Sequence, residues 1–487
     1  MVMSKETAVE KAARAMAEFR HELSAMAPDA VDLLAVERRT QELANAWSRA
    51  TLAEAMKRGD TDAPEVVING ERWGNRRVLN GTYASSFGEI ELERSTYQRS
   101  GRGRIAIPMD LRLGIVEGAY TPRVARILSK AVGLMPESEA EDFLKEVGVA
   151  VVSVSTLHRI PRAMAARYET RRDVIETAVR ERDPIPEGTV TIQASLDGVM
   201  VAQDGEHAKP RGRKTDSPDP PRHEQHYGPV GTPPVTADDG KEGRSWHEGS
   251  VGTIAYYDKE GARLKSTYLA RMPEPNKATL VAQLEAEVHS VVAELPAVNI
   301  VFASDGAKGQ WSALKGLRAR LPETFSGHTM MLLDFCHAAE YVHLAANAVH
   351  GEDTPEAEIL AAEWDETVKL KANGARKVLK AMRYQRSKMA PGTRRKDITR
   401  AINFIARQSR LGRMKYTVAK RRHYPIGTGV TEAAAKTVVN VRMKRAGARF
   451  SQHGGQTVML FRTAVLSERF DMLLAELHDT YTAKIAA

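Results

Sequence analysis

The chain has a single cysteine, Cys336, among 487 residues. That excludes an internal disulfide framework and any zinc finger built on cysteines, and it fits a reducing compartment. No apolar run reaches membrane-spanning length, and the N-terminal residues lack the uninterrupted apolar core of a secretory signal. A cytoplasmic, nucleoid-associated protein with no membrane partner is therefore expected. Acid is scarce in one place. Residues 369–423 hold 19 Lys and Arg against one acid, Asp397, a net of +18 in a chain whose total is +9 and whose pI is near 9.4. A charge run is usually only a solvated face, but one so one-sided favours a polyanion, most simply the phosphates of double-stranded DNA. Helical spacing of Val378, Leu379 and Met382, and of Ile398, Ile402 and Ile405, makes this segment a helical insertion with a basic surface.

Three short apolar runs each contain or end on an aspartate: Asp197 in residues 190–198, Asp305 in 299–306 and Asp334 in 331–337. Such runs are candidate buried strands, where an uncompensated carboxylate costs several kcal/mol, so each acid needs a partner. A metal ion serves several at once. Asp-Gly is also the commonest hairpin pair. Asp197 resists that reading, because Val199, Met200, Val201 and Ala202 continue the run beyond Gly198. Asp305 is open to it, since an Asp before Gly306 also suits a turn or the cap of a helix near Trp311.

Taken from the start, residues 5–57 show helical spacing (Ala12, Ala15, Met16, Phe19, then Leu33, Leu34, Val36) broken at Pro28. The pair is either an oligomerising or DNA-contacting arm or simply a solvated helical pair. Residues 64–104 read as strands, with Asn69-Gly70 and Asn80-Gly81 as turns. Three helices fit 121–132, 138–147 and 155–168; the last opens Ser153-Val154-Ser155-Thr156 before His158 and Arg159, as a recognition helix does and as any capped third helix of a bundle does. A linker at 184–188 follows. The polar segment 204–250, with His207, His223, His226 and His247, reads as a loop rather than a metal site. A hairpin around Lys259-Glu260-Gly261 and an amphipathic helix over 276–295 come next.

Strand, strand, strand, helix, strand with Asp305, helix, strand with Asp334, helix is the order of a ribonuclease H-like domain. The expected fold is α/β: a ribonuclease H-like catalytic core with a helical insertion, preceded by mainly helical DNA-binding modules and a small β-element. The divisions are 1–62, 63–118, 119–187, 188–349, 350–424 and 425–487. Asp197 in Ser195-Leu196-Asp197-Gly198-Val199, the segment from Trp246-His247-Glu248 to Tyr257-Asp258, Asp305 in Ser304-Asp305-Gly306-Ala307, and Leu333 to Glu340 together resemble insertion-sequence transposases of the DDE class. Within that class it looks like the ISKra type, related to the Mutator-like transposases, and the resemblance covers about residues 189–466.

It implies that Glu432, in Gly427-Thr428-Gly429-Val430-Thr431-Glu432, is the third catalytic carboxylate, followed by a basic segment with Lys436, Arg442, Lys444 and Arg449. Thr431 is expected to cap the helix, and Glu432 equally suits a helix dipole. Glu340 is the main rival for third place, ahead of Glu352, Glu363 and Glu366. Phe450 stands where relatives often carry Trp, and the N-terminal cysteine cluster of some relatives is absent. Asp197, Asp305 and Glu432 would hold Mg²⁺, or Mn²⁺ in its place, for in-line phosphoryl transfer, with water and then a DNA 3′-hydroxyl as nucleophile. Asp334 and His337 would shape the site or touch DNA beside it, and the working form would be a homodimer or larger oligomer on DNA. A nuclease or resolvase that cuts without joining, and a non-catalytic DNA-binding protein, are the rival readings.

Arg394, Arg395 and Lys396 are the cations expected to meet phosphate, with Arg159 as a base-reading candidate. Reversing Arg394, Arg395 and Lys396 to Glu is expected to flatten the fall of DNA affinity with salt, each lost contact removing about 0.9 from the slope of log K against log salt. An unchanged slope in a salt titration would leave these charges facing only water.

Overall fold

Strand-forming sequence at residues 66–106 closes into an antiparallel sheet in the computed structural model, which describes residues 6–99, 103–149, 152–204, 244–446 and 448–486. The described chain forms two compact units, one from residues up to Val179 with Phe470–Ala487, the other from Arg180 to Arg469. In the first, α1 (Ala8–Ala25) and α2 (Leu33–Lys57) pack together on either side of Pro28. Then come β1 (Val66–Ile68), β2 (Glu71–Ser85), β3 (Gly88–Gln98) and β4 (Ile105–Ala106), side by side in that order, with Ile485–Ala486 on the outer edge of β1. Asn69 and Gly70 make the first turn with positive φ at both positions.

Asn80-Gly81 does not turn. It lies inside β2, paired with Glu93 and Leu92, because Gly81 leaves room for Arg94: a Cβ there would stand 2.7 Å from Arg94 Nε. The chain reverses instead just before Gly88. Helices α3 (Pro108–Leu113), α4 (Pro122–Leu134), α5 (Glu137–Glu146), α6 (Val154–Thr170) and α7 (Arg172–Arg182) follow, and α6 starts on a Ser153 hydroxyl that accepts from Thr156 N.

The second unit is built on a mixed sheet. Its strands are β5 (Thr191–Asp204), β6 (Arg244–Tyr257), β7 (Arg263–Arg271), β8 (Asn299–Ser304) and β9 (Thr329–Leu333), in the order β7-β6-β5-β8-β9. β5, β6 and β7 are antiparallel neighbours, whereas β8 and β9 run parallel to β5. The parallel connections are α8 (Ala278–Glu294) and α9 (Lys308–Ala319). Leu280, Leu284, Val288 and Val291 of α8 lie in the core with Ile192, Ala194 and Leu196 of β5 and Ile300 and Phe302 of β8. The segment expected to loop over 204–250 is shorter than that, since Arg244 already pairs with Asp204 and His247 with Val201. His207, His223 and His226 fall outside the described residues.

After β9 come α10 (Phe335–His350), α11 (Pro355–Leu370), α12 (Gly374–Ser387), α13 (Thr393–Arg410) and α14 (Tyr416–Arg421). Val378, Leu379, Met382, Ile398, Ile402 and Ile405 are all buried, and Trp364 joins them in the core at 5% exposure. The chain then returns to the sheet with α15 (Gly429–Ala434), which runs on through a π-helical segment, Ala435–Asn440, and a last turn, Val441–Met443, before α16 (Gln452–Leu466). The expected division at 425–487 is split, because residues from Phe470 on belong to the first unit. Among the described residues no helix is long and apolar enough to cross a membrane.

A buried ion network fixes the second unit. Arg469 donates to both Glu287 oxygens (2.7 and 2.9 Å) and to Asp183 Oδ2 (2.7 Å), and Lys265 of β7 reaches the other Asp183 oxygen. Such a network adds little over a well-packed apolar substitute, but removing one member strands charge in the interior. Arg469→Met is expected to cost about 3–5 kcal/mol in urea unfolding, and Arg469→Met with Glu287→Leu to recover part of that loss.

Candidate active site

Alternation along β5 sends Ile192, Ala194 and Leu196 into the core and Gln193, Ser195 and Asp197 to the opposite face. In the parallel ladder Ser195 stands opposite Ala303, the last pair but for the strand ends. Two residues on in the same register are Asp197 and Asp305. The pair is felt in the titration of Asp197, whose carboxyl is pushed above the ordinary aspartate value by burial first. The Gly198 N–H opposes that, the Asp305 charge adds to it, Lys277 opposes and Glu248 adds. Gly198 N donates to Asp197 Oδ1 at 2.7 Å. Asp305 Oδ1 accepts from Ala307 N (3.1 Å) and Ser304 Oγ (3.3 Å). The Gln310 amide, turned so that its nitrogen faces the acceptors around it, donates to Asp305 Oδ1 (2.6 Å) and to the Leu196 carbonyl (3.2 Å), tying the turn after β8 to the middle of β5.

Glu248 and Lys277 complete the surroundings of Asp197. Glu248 lies on β6, its side chain across Gly198, where a Cβ would come within 1.7 Å of its Oε1. Lys277 Nζ meets that same oxygen at 3.0 Å. Lys277 and Asn276 both have left-handed backbone, φ 53° and 55°, which residues with a side chain rarely adopt. Sequence reading assigned Lys277 no role, and no local signal marks it. Gln193 and Ser195 were detectable, as the polar half of the alternation that carries Asp197.

That polar face receives the returning chain. Gln193 Nε2 donates to the Gly427 carbonyl (2.9 Å), and Thr253 Oγ1 lies 3.5 Å from Ser195 Oγ and 2.7 Å from Thr431 Oγ1, all three hydroxyls buried. Val430 packs against Ala255 and Tyr257 of β6. Asp334 makes the strongest tie: Oδ2 accepts from Thr428 N (2.8 Å) and from the Thr428 hydroxyl, while Oδ1 accepts from Cys336 N (2.6 Å) and so caps α10. Thr431 is thus no cap. It is the third residue of α15, committed through its hydroxyl to β6, and Thr428 stands at the cap position.

Glu432 is 59% exposed and paired with Lys436 at 2.6 Å. Its charge acts on the Cys336 thiol, which burial and then Asp334 push up before Glu432 adds its share. Among the described residues no three His, Cys, Asp or Glu side chains are grouped to hold a metal ion. Asp197 and Asp305 thus stand as a pair of hard oxygen donors, with Glu432 engaged by Lys436.

His337 Nδ1 meets Glu340 Oε2 at 2.9 Å on α10. The His337 ring packs edge-on against Tyr341 and Phe404, whose rings stack at 3.7 Å, and Phe404 in turn borders Gly306, next to Asp305. Of the expected DNA-facing cations, Arg442 is 2% exposed and does not reach solvent, because the helix end that carries it is packed inward; it leaves that set. Arg394 donates to the carbonyls of Ala348 (2.8 Å) and Val349 (2.7 Å), so reversing it disturbs the end of α10 as well as a charge. Arg395 donates to Met389 O, while Lys396, Lys444 and Arg449 are exposed. Arg159, in the first unit, donates to the Tyr120 hydroxyl at 2.8 Å and covers its ring.

No protein-family model matches the chain, and no curated protein matches it. Among solved structures it is similar to one described as a Mos1 transposase paired-end complex with left transposon end. Identity is 12%, the match covers 63% of this chain and 80% of that one, and the TM-score is 0.14. A TM-score of that size does not establish a shared fold.

A raised carboxyl pKa means that the folded chain keeps the Asp197 proton to higher pH than the unfolded chain does. Stability is then lost as pH rises from the ordinary aspartate value through the raised one, and the loss persists at pH 7. Asp197→Asn is expected to raise the melting temperature at pH 7, with the gain shrinking as pH falls toward 3.8, the ordinary value. A gain that is independent of pH would mean that charge is not its source.

Proposed function

We propose that the chain is a DNA transposase of the DDE class, of the insertion-sequence type its motifs resemble, built on a ribonuclease H-like core. The observation that carries the reading is the pair of aspartates in register on neighbouring parallel strands, Asp197 midway along β5 and Asp305 just past the end of β8, in a sheet of order β7-β6-β5-β8-β9. Asp197, whose charge is disfavoured by burial and by the neighbouring Asp305 and only partly offset by the Gly198 N–H, suits a divalent cation shared with Asp305.

Asp197 and Asp305 would hold Mg²⁺, or Mn²⁺ in its place, with Glu432 as the third donor. Bound there, the ion would ease deprotonation of the attacking hydroxyl and offset charge on the leaving oxygen. The protein's own part is positioning. Gln310 fixes the Asp305 carboxylate against β5 at Leu196, and Gly198 N–H fixes that of Asp197. For Glu432 to take part, Lys436 must release it, which frees an ammonium one helical turn away to meet a phosphate oxygen. The π-helical segment that begins at Ala435 supports this reading, since such segments accompany functional sites in helices. Lys277, beside Asp197 and Glu248, is a second cation able to face a phosphate.

The expected reaction is cleavage of a DNA phosphodiester by water, followed by attack of the freed 3′-hydroxyl on a second duplex. With purified protein, Mg²⁺ or Mn²⁺, and DNA carrying the sequences that flank the reading frame, cutting and joining are both expected. Asp197→Ala and Asp305→Ala are each expected to abolish both steps while retaining DNA binding. Cleavage that survives in Asp305→Ala protein would sink the assignment. Cleavage without joining of pre-cut ends by the unaltered protein would favour the nuclease reading.

A further inference from the structure

The basic insertion is not evenly basic. Along α13, Lys396, Arg400, Asn403, Arg407 and Arg410 recur at intervals of three and four and form one exposed stripe. Along α12, Arg376, Lys380 and Arg383 do the same. The two helices pack through Leu379, Met382, Ile402 and Ile405, so their stripes border one surface groove. Arg376, Lys380, Arg383, Asn403, Arg407 and Arg410 line one stretch of it, and Lys396 and Arg400 line a second stretch that shares Asn403. No acid lines either stretch. Among the described residues none of these seven cations has an ion-pair partner, whereas Arg394 and Arg395, on the same helix, are bound to backbone carbonyls.

We infer that this groove is the track on which the phosphate backbone of double-stranded DNA lies. The inference rests on the reading of the chain as a DNA-processing enzyme and names where the duplex is held. The geometry favours a duplex over a single strand. Packed helices lie about 8–10 Å apart, so two rows of long cationic side chains reach phosphates on both sides of a DNA groove, whereas a single strand needs one row. The α13 row is about 21 Å long at 1.5 Å per residue, or about six base pairs at 3.4 Å each. The track also has a neighbour. Phe404, between Arg400 and Arg407 in the sequence of α13 and packed partly inward, borders Gly306, so α13 carries the row on a helix that packs beside the turn that carries Asp305.

The test is fluorescence anisotropy of the full chain on a labelled duplex of arbitrary sequence, over a range of salt. The set Lys380→Gln, Arg383→Gln, Arg407→Gln and Arg410→Gln is expected to lower the slope of log K against log salt by about 3 to 4, at about 0.9 per contact. A control set from elsewhere on the insertion, Lys371→Gln, Lys388→Gln, Lys420→Gln and Arg421→Gln, is expected to change it by less than about one such contact. Exchanging Arg for Lys at 383, 407 and 410 is expected to retain the slope. All these side chains are exposed, so melting temperatures should not move; if the set of four fails to fold, Arg383→Gln and Arg407→Gln singly should each remove about 0.9. Equal losses in the two sets, no loss in the track set, or tighter binding of duplex RNA than of duplex DNA would overturn the proposal. If the track set loses its slope while the unaltered protein neither cuts nor joins DNA, the track stands and the transposase reading falls. If the unaltered protein cuts and joins while the track set keeps its slope, the reading stands and the track falls.

Discussion

The parallel pairing of β5 with β8 brings two aspartates side by side at a half-buried edge, and much of the second unit answers to that. Burial, with the Asp305 charge adding to it, makes Asp197 dearer to ionise. Backbone pairing holds them there regardless, since a shift of one strand by a residue would turn Ile192, Ala194 and Leu196 out of the core. Around this edge the chain arranges compensation: N–H groups of Gly198 and Ala307, the Gln310 amide, and an ammonium at Lys277 carried on strained backbone. Local strain of about 1–3 kcal/mol per residue is tolerated where surrounding structure fixes it.

The chain's electrostatics divide along the same lines. Its modest net charge of +9 conceals a segment of +18 and a remainder that is acidic. Acid gathers where Asp197 of β5 and Asp305 just past β8 stand in register, and base without ion-pair partners gathers on the exposed surface of α12 and α13. Phe404, on α13, borders Gly306 next to Asp305. In the proposed function, a polyanion held on the basic surface would lie near carboxylates that repel it, and a divalent cation would mediate between them.

Much of this was legible in sequence because it rests on period and register. The sheet strands, the amphipathic α8 and the buried stripes of α12 and α13 all announce themselves as alternation or as spacing of three and four. Asp197 was readable as lying within a strand because the apolar run continues past Gly198. What could not be read depends on distant partners. Asn80-Gly81 has turn composition, yet a neighbouring strand needs its missing side chain to accommodate Arg94. Thr431 has cap chemistry, yet a hydroxyl on β6 claims it. Arg442 belongs to a basic run, yet it is buried. In each case tertiary context overrides a local preference that is worth only about 1 kcal/mol.

The Asp334 carboxylate joins the residue that opens α10 to Thr428, 94 positions later. Everything between is, in effect, a closed loop whose two ends are pinned at one point. The entropy of closing a loop grows only with the logarithm of its length, about 0.6 kcal/mol for each doubling. The helices between these pins are therefore free to lengthen, shorten or be exchanged over evolution at little cost to the sheet, and Glu432 keeps its place whatever the insertion becomes.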